Sequence, residues 1–190
     1  MTRLILLFFT LHFSLFTIVS QDVSFYKEII TMRIEKDYFY VTGSYYLGTT
    51  GDTAITLVYP FPADSLYGEV DSLHILNLTL DKTIKPLARR KESAVFKADF
   101  GEFSRILILI SYRQKLLGSR AEYILESTAG WRKPLEQADY QLIVPPGLEI
   151  VSFSIPPDES MIAEQETVYY WSEENYMPSC NMIFEFTSAR

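Results

Sequence analysis

The sequence predicts an all-β protein: an antiparallel β-sandwich of about nine or ten strands that follows a cleaved signal peptide. Three observations lead to this prediction. Apolar side chains recur at every second position, turn residues separate these runs at short intervals, and no comparable helical periodicity is present. The composition agrees, because 13 Tyr and 13 Phe among 190 residues favour strands. With no internal repeat or long linker, residues 21–190 are predicted to form one domain.

The first twenty residues are predicted to be a secretory signal peptide. Arg3 precedes a mostly apolar run, Leu4 to Val19, and the small residue Ser20 stands at the expected cleavage point. A membrane-spanning helix needs about 20 apolar residues, and several polar residues interrupt this shorter run. An uncleaved anchor or a buried core helix are the alternatives. Cleavage would leave a secreted or periplasmic protein without stable insertion in the membrane.

Most strands are predicted from side chains that alternate between a core face and a water face, as antiparallel strands do. In chain order, the predicted core faces consist of Ile30, Met32 and Ile34; Ile55, Leu57 and Tyr59; Ala94, Phe96, Ala98 and Phe100; Ala138, Tyr140, Leu142 and Val144; and Met182, Phe184 and Phe186. Residues 72–80 are partly apolar on both faces, which indicates either a strand covered on both sides or a β-bulge. A change of phase within residues 148–155 also indicates a bulge.

The segment from Arg105 to Tyr112 is apolar on both faces and is predicted to be a central strand. Its three isoleucines point one way, and Leu107 and Leu109 point the other. The sequence leaves two arrangements open for these leucines. They are covered by another part of the chain, or they form a patch that binds a partner.

One segment resembles a known family. Residues Thr53 to His74 read TAITLVYPFPADSLYGEVDSLH, a strand rich in Thr and Val that ends at Pro60-Phe61-Pro62 and returns to another strand. This pattern resembles the VIT domain of inter-alpha-trypsin-inhibitor heavy chains and is similar to uncharacterised exported bacterial β-sandwich families. The resemblance covers about residues 30–75. It implies a sandwich and an extracytoplasmic location, and it transfers no site residue.

The residues needed for several chemistries are missing. A serine hydrolase triad needs a histidine base, and only His74 remains after the signal peptide. With a single cysteine, Cys180, a zinc site of His and Cys ligands is excluded, and no disulfide can form within the chain. His74 is predicted to be a core residue. Cys180 is predicted to be buried and inert, with a reactive thiol as the alternative. No catalytic residue, metal ligand or cofactor site is therefore predicted.

The charge of the chain argues against nucleic acid as a partner. It leaves open the role of an acidic segment, and a glycosylation pattern is also present. The net charge of −7 argues against nucleic acid, because phosphate binding needs clustered Lys and Arg. Six carboxylates lie within residues 158–174 without a Lys or Arg. They are predicted to be a solvated acidic surface, with a calcium site as the alternative. Asn77-Leu78-Thr79 matches the N-glycosylation pattern, whose use depends on the source.

Two tryptophans are the candidate contacts for a ligand or partner. Trp131 lies in a turn between two strands, and Trp171 ends a Tyr-Tyr-Trp run. An exposed aromatic ring can stack on a sugar or anchor a protein, whereas a ring folded back would cover the end of the core. The sequence therefore predicts an exported, non-catalytic binding or structural module with a protein or glycan partner. A carbohydrate-binding domain is the alternative, and a carboxylate-based hydrolase is the third option.

Overall fold

A computed structural model describes residues 23–51 and 53–188, and the predicted signal peptide lies outside these residues. The described chain folds into strands with almost no helix. The elements are β1 (Val23–Glu35), β2 (Tyr38–Thr49), β3 (Ala54–Pro60), β4 (Tyr67–Asn77), β5 (Lys82–Thr83), β6 (Ala88–Arg89), β7 (Ser93–Asp99), β8 (Arg105–Leu116), β9 (Arg120–Tyr123), a 3-10 helix (Glu126–Trp131), β10 (Leu135–Val144), β11 (Leu148–Phe153), β12 (Glu159–Ala163), β13 (Glu166–Tyr176) and β14 (Met182–Ser188). Within the described ranges, no helix is long and apolar enough to cross a membrane.

Eight of the strands form one large sheet in the order β12-β13-β10-β1-β2-β8-β4-β5. Its centre is built from the β1–β2 hairpin, which turns at Lys36 with a φ of 53°. Every pair in this sheet is antiparallel except one, because β1 pairs with β10 in parallel. A parallel pair needs a long connection between its strands, and here β2 to β9 and the 3-10 helix supply it.

Two three-stranded sheets pack on one face of the large sheet and complete the sandwich. Their orders are β11-β14-β9 and β3-β7-β6. The first packs through Phe184 on β14, whose ring lies 6.2 Å from that of Phe39 on β2. The second packs through Tyr59 on β3, whose ring lies 5.7 Å from that of Tyr45. All these contacts belong to one hydrophobic core between the two layers.

The predicted all-β sandwich is confirmed, and the predicted core faces point inwards. The described strands number 14 rather than nine or ten. The difference arises from short strands such as β5 and β6, which are too short to show a period of two. The predicted central strand β8 lies between β2 and β4. The bulge predicted after residue 148 is also present, between Ile150 and Ser152.

The position predicted for His74 is wrong, because its side chain is exposed on the outer face of the large sheet. The buried face of β4 carries Ile75 and Asn77 instead. Asn77 tolerates burial because its Nδ2 donates to the Asp99 carbonyl at 2.8 Å and its Oδ1 accepts from the Leu80 amide at 3.1 Å. The same burial leaves the Asn77 amide without access for a glycan.

Leu107 and Leu109 lie half-buried on the outer face of the large sheet. Leu107 pairs with Tyr46 across β2, and Leu109 pairs with Ser44 on β2 and Leu76 on β4. Neighbouring side chains of the same sheet therefore cover part of each leucine. The sequence left open full coverage by the chain or a patch that binds a partner, and the observed arrangement lies between these two.

Candidate functional site

A cavity of about 70 Å³ lies between the large sheet and the β3-β7-β6 sheet. Side chains of β1, β2, β3, β7, β8 and β9 line it, and the 3-10 helix covers one side. This volume is several times the roughly 10–15 Å³ that one water molecule needs. The cavity can therefore hold a cluster of water molecules or a small organic group.

Glu28 is the one acidic residue in the lining of the cavity, and its side chain is only 1% exposed. It accepts a hydrogen bond from the Tyr140 hydroxyl and a second from Tyr123. Burial raises the pKa of Glu28 from its usual 4.5 to about 7, against the two hydrogen bonds, which lower it. Near neutral pH, the carboxyl group is therefore divided between its neutral and ionised forms.

Three tyrosine hydroxyls extend this polar group along the cavity wall. The Tyr45 hydroxyl lies 2.7 Å from that of Tyr59 and 2.9 Å from that of Tyr123. Burial raises the pKa of each of these tyrosines well above 10. The hydroxyls therefore stay protonated at physiological pH and remain available as hydrogen-bond donors.

Tyr45 reaches this position because residue 43 has no side chain. A Cβ atom on Gly43 would lie 2.4 Å from the Tyr45 hydroxyl oxygen and 2.5 Å from a ring carbon. Real Cβ atoms essentially never come so close to another heavy atom. Gly43 thus provides the space in which the Tyr45 ring folds across β2 towards the cavity.

Trp131, one of the two candidate tryptophans, lines the cavity at the end of the 3-10 helix. Its ring is half-buried and lies 5.7 Å from that of Phe25 on β1. Ser127, on the same helix, also lines the cavity and is exposed to solvent. The cavity therefore reaches the surface beside the 3-10 helix, with Trp131 next to its mouth.

Trp171, the other candidate, lies in the core on β13 and is only 3% exposed. Its Nε1 donates to the Ile155 carbonyl at 3.0 Å, and its ring lies 6.0 Å from that of Phe184. It does not line the cavity. In this fold Trp171 covers the core, which is the other arrangement that the sequence allowed.

Sequence reasoning missed Glu28, although a signal was present. Glu28 has the same parity as Ile30, Met32 and Ile34, so the alternation of β1 places it on the core face. An acidic residue on such a face indicates either the end of the buried stretch or a specialised polar site. The partners of Glu28 could not be found in this way, because they lie on β9 and β10 and meet it only in the folded sandwich.

The remaining predicted features lie away from the cavity. Cys180 is half-buried in the segment before β14. The segment that holds the acidic run, residues 158–174, forms β12 and most of β13 at one end of the large sheet. Across residues 23–51 and 53–188, no group of three or more His, Cys, Asp or Glu side chains is arranged to hold a metal ion.

Comparison with known proteins shows the fold. No protein-family model and no curated protein matches the chain. A structure from Legionella pneumophila, of a protein with a proposed nutrient-binding role, is similar with a TM-score of 0.65 and 11% identity over 87% of this chain and 67% of that one. An M1 zinc metallopeptidase from Deinococcus radiodurans is similar with a TM-score of 0.50 and 8% identity over 87% of this chain.

The chain spans about two thirds of the Legionella protein and 43% of the peptidase. At these identities the likeness establishes a shared β architecture. The resemblance of residues 30–75 to the VIT domain stays a prediction.

Proposed function

We propose that this chain is a non-catalytic binding module that holds a small organic ligand in the cavity between its layers. The observation that carries the proposal is the presence of a buried carboxyl group and three tyrosine hydroxyls around one cavity. A largely apolar pocket with a few convergent polar groups is the usual form of a small-molecule site. In this reading, Trp131 is the ligand contact at the mouth.

The placement of the polar groups supports binding over a purely structural role. A core without a ligand gains little from a buried carboxyl, because its ionised form costs a great deal of free energy unless an opposite charge pairs with it. Here the costly groups surround an open volume instead of being packed tightly together. The proposed nutrient-binding role of the similar Legionella protein agrees with this interpretation.

Two further parts of the proposal extend the sequence predictions. We propose that the module acts outside the cytoplasm, because of the predicted signal peptide in residues 1–20. A carbohydrate-binding domain is the second candidate, favoured by the half-buried ring of Trp131 next to the mouth.

The test is a ligand-observed NMR screen of small organic compounds, amines, alcohols, carboxylic acids and sugars, against the chain and its Trp131→Ala variant. We expect one chemical class to bind and the variant to weaken that binding at least tenfold. Phe103→Ala is the matched control, because Phe103 is an exposed aromatic residue (44%) that does not line the cavity.

Two outcomes would overturn the proposal: no compound binds, or Trp131→Ala and Phe103→Ala bind equally well. Binding of oligosaccharides alone, lost in Trp131→Ala, would instead select the carbohydrate-binding alternative.

A further inference from the structure

We propose that the ligand of this cavity is a small organic monocation, a protonated or quaternary alkylamine, held by Glu28 and the aromatic rings around it. This inference rests on the proposed function and names its ligand class. It follows from the charge of the lining, from its aromatic content and from the absence of a counter-ion for Glu28.

The charge of the lining has one sign. Of the residues that line the cavity, Glu28 is the one that can carry a charge at physiological pH, and none is Lys, Arg or His. The tyrosine hydroxyls stay neutral because burial raises their pKa. An anionic ligand would therefore meet no opposite charge in the cavity, whereas a cation would meet the Glu28 carboxylate.

Aromatic rings make up much of the remaining wall. Six lining residues are aromatic, and they come from five strands and the 3-10 helix: Phe25, Tyr45, Tyr59, Phe96, Tyr123 and Trp131. The face of an aromatic ring attracts a cation, most strongly when water is excluded. Cages of such rings are the usual protein site for alkylated ammonium ions.

Glu28 has hydrogen-bond donors but no protein counter-ion. In the part of the chain that the structure describes, the ion pairs join Arg33 to Glu166, Arg113 to Asp71 and Arg120 to Glu185, and none includes Glu28. A buried carboxylate costs a great deal of free energy unless an opposite charge pairs with it. An ammonium group in the cavity would complete the pairing that Tyr140 and Tyr123 begin.

The groups that face Glu28 set how binding depends on pH. They are the hydroxyls of Tyr140 from β10 and Tyr123 from β9, with Tyr45 from β2 and Tyr59 from β3 further along the network. Tyr176 on β13 also interacts electrostatically with Glu28. None of these tyrosines ionises between pH 6 and pH 8, so ionisation of Glu28 alone changes the charge of the cavity in that range. Cation binding should therefore strengthen as the pH rises.

The experiment compares two probes of nearly equal shape, tert-butylammonium and tert-butanol, by isothermal titration calorimetry at pH 6 and pH 8. An alkylammonium ion keeps its charge in this range, as the Lys side chain does with a pKa near 10.4. At pH 8 we expect the cation to bind at least tenfold more tightly than the alcohol. We expect its affinity to fall about tenfold at pH 6, while that of the alcohol stays constant.

Glu28→Gln removes the charge and keeps the shape, and it should reduce cation binding at least tenfold at pH 8 without weakening alcohol binding. If this variant does not fold, the pH profile of the unmodified chain with the two probes still decides the question. Equal affinity for the two probes, or tighter binding of the alcohol, would overturn the cation proposal and leave the binding module intact. Failure of both probes and of every compound in the screen would overturn the proposed function itself.

Discussion

Glu28 combines burial with a position at an open cavity, and its ionisation should be visible in the stability of the fold. Its pKa is about 7 in the folded chain and near 4.5 when unfolded. Between these values the folded chain holds a proton that the unfolded chain has released, so the free energy of unfolding falls as the pH rises. The contribution of Glu28 is therefore fully present below pH 4.5 and is lost as the pH passes 7.

Glu28→Gln should remove this part of the pH dependence. Between pH 5 and pH 8, we expect the unmodified chain to lose about 2–3 kcal/mol more of its unfolding free energy than the variant does. Urea denaturation at the two pH values measures the difference. Glu69→Gln is the control. Glu69 is exposed on β4, so its replacement should leave the pH dependence of the unfolding free energy the same as in the unmodified chain. A parallel pH dependence in Glu28→Gln and the parent would contradict the assignment of a raised pKa to Glu28.

Gly43 affects the site through its lack of a side chain, because this leaves room for the Tyr45 ring. Gly43→Ala should displace this ring and destabilise the fold by about 1–3 kcal/mol, the usual cost of overpacking a core. Gly118→Ala is the matched control, since a Cβ atom there would meet nothing within 4 Å. Its effect should stay within about 0.5 kcal/mol. Thermal or urea denaturation compares the two, and equal effects would show that Tyr45 does not need the space at Gly43.

The strand β8 contributes side chains to both faces of the large sheet. Ile108 is 1% exposed on the inner face, whereas Leu107 is half-buried on the outer face. We expect Ile108→Ala to cost about 2–5 kcal/mol, as truncations in a core do. Leu107→Ala should cost only about 1 kcal/mol, because neighbouring side chains cover just part of it.

Denaturant unfolding of the two variants checks the prediction. Equal losses of several kcal/mol would mean that the outer face of β8 is buried as deeply as the inner one.

The strands that the sequence reveals are those in which burial alternates along the chain. β1, β7, β8, β10 and β14 all show this pattern, because one face of each lies on a single core. β4 concealed its buried face, because its inward residue Asn77 is polar and is satisfied by a contact with Asp99. Local alternation gives no information about such a contact.

The site was harder to predict than the strands. Trp131 is predicted as a contact because a tryptophan in a turn is easily noticed in the sequence. The hydrogen bond between Glu28 and Tyr140, by contrast, joins two residues that are 112 positions apart and lie on the parallel strands β1 and β10. No local pattern specifies which distant strand will lie beside β1.

The N-terminal segment is predicted to be cleaved from the chain. We expect the proposed export to remove residues 1–20 and leave a mature protein that begins near Gln21, because the apolar run before Gln21 is too short and too often interrupted for a stable membrane span. Intact-mass analysis of the protein recovered from the extracytoplasmic fraction measures this directly. A mass that includes residues 1–20 would contradict cleavage.

The parallel pairing of β1 with β10 has a consequence for the rates of folding and unfolding. Lys27 and Gln137, which hydrogen-bond across this pair, are 110 residues apart, and Tyr45 and Tyr123 are 78 apart. Contacts so distant along the chain form slowly, because a large loop must close before they can stabilise anything. The lining of the cavity runs from Phe25 to Trp131, so the cavity is complete only when these distant parts of the chain have met. A ligand that binds there should slow unfolding and leave the rate of folding nearly unchanged, because the transition state has no complete cavity for it to occupy.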